Sequence, residues 1–122
     1  MTRILVGGYK RADLKRLIDK MSIEGIEVEE SSDMDAAQAL IEKMADYYIG
    51  VCATGSSSLA LVRALLGNDK CILLSIVTKT LKPEEIKKAV NDGYVCFGIM
   101  DTNVEKVTPV LINYIKEKER LN

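Results

Sequence analysis

Tyr47-Tyr48-Ile49-Gly50-Val51-Cys52, followed by Ala53-Thr54-Gly55-Ser56-Ser57-Ser58, is the stretch on which the fold reading turns. Six residues without a charge or a polar alternation read as a strand covered on both faces. A turn of glycine and small hydroxyl residues follows. Ser58 to Leu66 then carries apolar or small residues on every side except at Arg63, a helix without a polar face. Such a helix is either enclosed within the monomer or covered by a second copy, and we expect the second, a homodimer.

The same alternation extends in both directions from this stretch. Upstream, Arg3-Ile4-Leu5-Val6-Gly7 is a buried strand, and Leu14, Leu17, Ile18 and Met21 form one face of a helix. Gly25-Ile26-Glu27-Val28-Glu29 alternates apolar and acidic side chains, as a strand near a sheet edge does. Ser32 and Asp35 make a capping-box pattern ahead of a helix with an apolar stripe of Met34, Ala37, Leu40, Ile41 and Met44. Downstream, Cys71 to Val77 reads as a fourth, fully buried strand, and Pro83 to Gly93 as a helix begun by proline and ended by glycine. Tyr94 to Ile99 is the fifth strand, and Thr102-Asn103-Val104-Glu105 caps a last helix that keeps one apolar face across Pro109. Five strands separated by helices require a parallel sheet, because each crossover helix returns the chain to the same end. The expectation is one α/β domain over residues 1–122, a three-layer sandwich of the Rossmann or flavodoxin-like kind with strand order 2-1-3-4-5.

Composition narrows the function classes. A net charge of −1, from 17 basic and 18 acidic residues spread along the helices, gives no field that would collect a polyanion, so no nucleic-acid partner is expected. No apolar run reaches the roughly 20 residues that span a bilayer, and the N-terminus lacks the pattern of a secretory signal. We expect a cytoplasmic chain without membrane insertion. Three cysteines at wide spacing, Cys52, Cys71 and Cys96, fit reduced thiols, and with no histidine neither a metal site nor a cofactor is expected.

Ligands of such sheets bind beyond the carboxyl ends of the strands, where the strand order reverses. Two loops meet there, Gly7-Gly8-Tyr9-Lys10-Arg11 and Cys52 to Ser58. The expected anion-binding residues are Gly8, Lys10, Thr54, Gly55, Ser56, Ser57 and Ser58, with Arg11 and Lys79 at the rim. Hydroxyls, turn amides and a helix N-terminus suit a small phosphorylated or carboxylated metabolite. The competing structural reading is that Gly55 only turns the chain and the serines cap the helix. Cys52, at the end of a buried strand, is the candidate catalytic base or nucleophile, against the alternative of an inert apolar filler.

The opening strand and helix, Asp46 to Gly55, and Val107-Thr108-Pro109-Val110-Leu111-Ile112-Asn113 together resemble the YhfU family of small bacterial proteins. Residues 1–67 are more distantly similar to the ribose-5-phosphate isomerase B family, in which a Cys-Gly-Thr-Gly loop follows the third strand. Cys52 and Thr54-Gly55 match that loop, whereas Ala53 and Ser57 stand in place of glycines, and Gly8-Tyr9 in place of an Asp-His pair. This second resemblance implies a cysteine that shuttles a proton between carbons of a sugar phosphate and a loop whose backbone holds the intermediate's oxygens. Three functions therefore stand side by side: a binding module for an anionic metabolite, an isomerase-like enzyme using Cys52, and an interaction subunit using helix 58–66.

Overall fold

A computed structural model of the chain describes residues 1–121. In order, the elements are β1 (Thr2–Gly8), α1 (Arg11–Lys20), β2 (Ile26–Glu30), α2 (Asp33–Ile41), β3 (Tyr47–Cys52), α3 (Ala60–Leu66) and β4 (Cys71–Leu73). There follow β5 (Ser75–Ile76), β6 (Lys79–Thr80), α4 (Pro83–Asn91), β7 (Cys96–Met100) and α5 (Val104–Lys118). Short 3₁₀ turns, Asn68–Lys70 and Asp101–Asn103, precede β4 and α5.

Five parallel strands form the main sheet in the order β2-β1-β3-β7-β4. The fold class is the one expected, with the two strands farthest from β2 exchanged: the last strand of the chain, not β4, lies beside β3. Burial explains the exchange. Cys96, Phe97, Gly98 and Ile99 are buried on both faces, whereas β4 is three residues long with Ile72 and Leu73 only partly covered, which suits an edge. The rest of the run read as a single strand leaves the sheet after Leu73. Ser75 and Ile76 turn back on Lys79 and Thr80 as an antiparallel hairpin with Val77 exposed at its tip.

Strand alternation divides the core into two. On one face Ile4, Val6, Tyr47, Ile49, Val51, Phe97 and Ile99 pack under α1, α4 and α5. The opposite face presents Leu5, Tyr48 and Cys96 to Ala36 and Ala37 of α2 and to Leu59 and Val62 at α3. The Tyr47 ring stacks on Phe97, with centroids 6.2 Å apart, while Tyr48 points the other way.

The α2–α3 side is less covered than the sequence pattern predicts. Ser32 does cap α2, accepting from the Asp35 N–H at 3.1 Å, but alanines alone fill the buried stripe. Met34, Ile41 and Met44 are 58%, 51% and 61% exposed, and Leu65 of α3 is 49% exposed. Helix α3 is thus not enclosed by the monomer. Its fully buried residue is Val62.

Candidate functional site

Neighbouring β1 and β3 bring the two expected loops together. Gly8 lies opposite Val51, and the Tyr9 N–H donates to the Val51 carbonyl at 2.9 Å. Gly8 has a φ of 87°, and a β-carbon there would overlap Val51 O, so the approach requires glycine. Between the loops lies an open cleft of about 400 Å³, whose walls are Gly8, Tyr9, Asp33, Cys52, Ala53, Ser57 and Ser58.

Cys52 is the focus of the second loop. Its half-buried Sγ accepts from the Gly55 N–H at 3.0 Å and from the Ser57 hydroxyl at 3.5 Å, and lies 3.7 Å from Thr54 Oγ1. Backbone N–H groups of Ser57 and Thr54 face it as well. Burial alone pushes the thiol up. The hydroxyls of Ser57 and Thr54 and these amides outweigh burial and hold the thiol below the usual cysteine value. The atom on which the loop's donors converge is the protein's own sulfur.

The remaining expected residues divide into three groups. Thr54 and Ser56 are exposed and hydrogen-bond each other at 2.9 Å. Ser58 is buried and donates to Gly55 O at 2.6 Å, closing the turn. Gly55 itself takes a φ of 79° with its Cα face against the backbone of Ser75 and Ile76. The expected dipole contribution is absent, because α3 begins at Ala60, beyond the serines, and residues 56–59 are turns. Lys10, in the left-handed region at φ 59°, extends over the Tyr9 ring, with Nζ 5.3 Å from its centroid. Arg11 is bound to Glu30 and the Ser31 carbonyl, and Lys79 faces Glu85.

The sequence reading names Tyr9 in the first loop without giving it a role, and passes over Asp33 and a row of glycines beneath the site. Asp33 opens α2 at the cleft wall and accepts from the Tyr48 hydroxyl at 2.9 Å. Gly7, Gly50 and Gly98 are register partners on three adjacent strands. β-Carbons at these positions would meet the Tyr48 hydroxyl, Ser58 O at 2.5 Å and the Ser58 hydroxyl, respectively. The row lets Tyr48 and the Cys52 loop lie directly on the sheet backbone. The signal present in the sequence was glycine at the same height in three strands, visible only once register is known.

A second groove, also about 400 Å³, lies between α1 and the start of α5. It carries Lys10, Arg16 and Lys20 against Asp13, Asp101 and Glu105, three charges of each sign, and so offers an anion no net attraction. Among the described residues there is no group of three His, Cys, Asp or Glu able to hold a metal ion, and no helix is long and apolar enough to cross a membrane.

A family model described as "Protein of unknown function DUF2620" matches residues 2–115. The uncharacterized protein YhfU of Escherichia coli K12 is 34% identical over 117 residues, covering 95% of this chain and 100% of the relative, and that of Shigella flexneri matches equally. Among solved structures, ribose-5-phosphate isomerase B of Giardia lamblia superposes with a TM-score of 0.66 at 19% identity, covering 93% of this chain and 92% of the other. The Thermotoga maritima ribose 5-phosphate isomerase gives the same TM-score at 15% identity, covering 93% and 84%. At these identities the likeness is one of fold.

Proposed function

This chain belongs to the DUF2620 family, and we propose that its cleft binds a small, hydroxyl-rich, anionic metabolite on which Cys52 acts as a proton-transfer base, an isomerase-like activity. One observation carries the reading: amides and hydroxyls of the loop converge on the Cys52 sulfur at the floor of an open cleft. A cysteine kept only as apolar filler needs no such donors. The fold shared with ribose-5-phosphate isomerases supports the substrate class.

In the proposed step the thiolate removes the proton from a carbon next to the substrate carbonyl. The C–H electron pair moves into the adjacent C–C bond and the carbonyl oxygen becomes an enolate oxygen. The Cys52 thiol then returns its proton to the former carbonyl carbon, while the hydroxyl proton on the first carbon passes to the enolate oxygen and the O–H electron pair left behind closes the new carbonyl. A thiol held below its ordinary value by these donors suits both halves, accepting the proton as thiolate and giving it back as thiol. Gly8, Tyr9 and Ser57 offer the substrate backbone and hydroxyl contacts, and we assign the anionic end to Lys10, which follows Tyr9 in the chain and lies over its ring outside the cleft lining. Thr54, Gly55, Ser56 and Ser58 shape and hold the loop. No histidine is present to open a sugar ring, so the open-chain form is the expected substrate.

Incubation with pentose and hexose phosphates in deuterium oxide tests this. Deuterium is expected at the carbon beside the carbonyl, and Cys52→Ala should abolish its incorporation while ligands still raise the melting temperature. A ligand at 100 times its Kd adds about 2.7 kcal/mol of stability. Wash-in by Cys52→Ala at the wild-type rate, or none by wild type, would overturn the enzymatic reading. Stabilisation by ligand without wash-in would favour the binding module.

We further propose that the exposed Met34, Ile41, Met44 and Leu65 are covered by a second copy of the chain. Leu65→Lys, which a monomer tolerates within about 0.5 kcal/mol, should convert a dimer to a monomer in sedimentation velocity. A wild type that sediments as a monomer at high concentration would remove the proposal.

A further inference from the structure

We propose that Asn103 is a positioning residue for Cys52, acting through the β5–β6 hairpin and the backbone of Gly55. The inference rests on the reading of Cys52 as the reactive group. Asn103 occupies the N-cap position of α5, where an asparagine side chain ordinarily bonds the first turn of its own helix. Here it makes no such bond. Its Nδ2 instead donates to Ser75 Oγ and, at 3.3 Å, to Thr80 Oγ1. Those two hydroxyls lie 3.4 Å apart across the hairpin, and Ser75 is fully buried.

The hairpin cannot hold its own place. It has two residue pairs, Ser75 with Thr80 and Ile76 with Lys79, and a two-stranded ribbon of that length is not stable in water by itself. At its open end two backbone bonds, from Leu81 N–H to Leu74 O and from Leu74 N–H to Gly98 O, each 2.8 Å, close the ribbon and tie it to β7. Asn103 is the side chain that holds the two hydroxyls beyond them. On its other side, the hairpin is the wall against which Gly55 lies: a β-carbon on Gly55 would overlap Ser75 O and come within 3.1 Å of Ile76 Cα. The Gly55 N–H is the shortest hydrogen bond to the Cys52 sulfur, at 3.0 Å. Moving Ser75 away frees Gly55 to leave its left-handed conformation, and the amide leaves the sulfur with it. A residue 51 positions after Cys52 in the chain thereby sets the polarity around its thiol.

The test is the pH dependence of Cys52 alkylation by iodoacetamide in the full chain, followed by peptide mass spectrometry, with circular dichroism melts in parallel. For Asn103→Leu the inflection should move up toward that of a free cysteine, about 8.5, and the rate at neutral pH should fall roughly tenfold, the effect of losing one hydrogen bond to a charged acceptor. Thr80→Val, which removes the longer contact and keeps the bond to Ser75, should give a smaller shift in the same direction. Ser75→Ala combined with Asn103→Leu should be no worse than either alone, because one linkage is broken in all three. A folded Asn103→Leu with the wild-type inflection overturns the proposal. Should Asn103→Leu not fold, wild-type inflections in both Thr80→Val and Ser75→Ala overturn it. The two readings fail separately: deuterium wash-in absent from wild type while the inflection still follows Asn103 sinks the isomerase reading and leaves the positioning role standing.

Discussion

The two faces of the sheet are built on opposite plans. Under α1, α4 and α5, branched aliphatic side chains and the Tyr47–Phe97 pair interlock, and stability there comes from side-chain burial. Under α2 and α3 the sheet presents Gly7, Gly50 and Gly98, the helix presents alanines, and a loop rests on backbone. Among the described residues the buried cluster there is smaller, nine side chains of which three are alanines, against eighteen on the first face. The second face holds a geometry that the first face stabilises from behind, and Cys52 belongs to the second.

The largest effect that would sharpen this contrast is on the first face. Leu111→Ala should cost about 2–5 kcal/mol in urea unfolding, since Leu111 is fully buried, while Cys52 in the folded fraction keeps its alkylation rate. Next comes Gly50→Ala, whose β-carbon would lie 2.5 Å from Ser58 O, a backbone atom of the Cys52 loop. It should cost about 1–3 kcal/mol and slow Cys52 alkylation as well. A Gly50→Ala protein that loses stability with an unchanged thiol would break the distinction between the faces.

Smaller effects follow from titration. Burial pushes both tyrosines of β3 up, with Glu119 beside Tyr47 and Asp33 beside Tyr48 adding to the shift. The neutral phenols are the favoured folded form, so their contribution is complete below the unfolded tyrosine value of about 10 and is lost as pH rises above it. Phenolate absorbance of Tyr47 and Tyr48 should therefore appear only together with loss of the circular dichroism signal. Cys52 works in the opposite direction. Its folded value is depressed, so it adds stability above the unfolded thiol value of about 8.5 and loses it as pH falls through the folded value. The stability difference between wild type and Cys52→Ala should grow as pH rises from below the folded value of Cys52 toward the unfolded value. A flat difference would mean the donors around the sulfur do not favour its charged form.

The alternation of strands and helices was legible because each strand is a short apolar run between amphipathic segments, and the meeting of the Gly8 and Cys52 loops followed from the position of the first and third strands. The exchange of the last two strands was not legible. Cys71 to Val77 and Tyr94 to Ile99 are equally apolar, and the run through Ser75, Ile76, Val77 and Thr78 has the β-branched look of a continuous strand although it turns at Val77. The same limit hid part of the site. Asn103 matched a capping pattern, yet its side chain serves a hairpin 23 and 28 residues earlier. Tyr9 and Asp33 carry no local signature, since what makes them relevant is a tertiary wall.

Cys71 and Cys96 are direct neighbours in the register of β4 and β7, both buried, and their mutual hydrogen bond together with burial pushes the Cys96 thiol far above its ordinary value. The native molecule consequently behaves toward a thiol reagent in water as though it owned one cysteine. The other two become reachable only when the edge strand peels off the sheet, so their slow modification is a clock for that opening, read on the same molecule whose first sulfur reports the cleft.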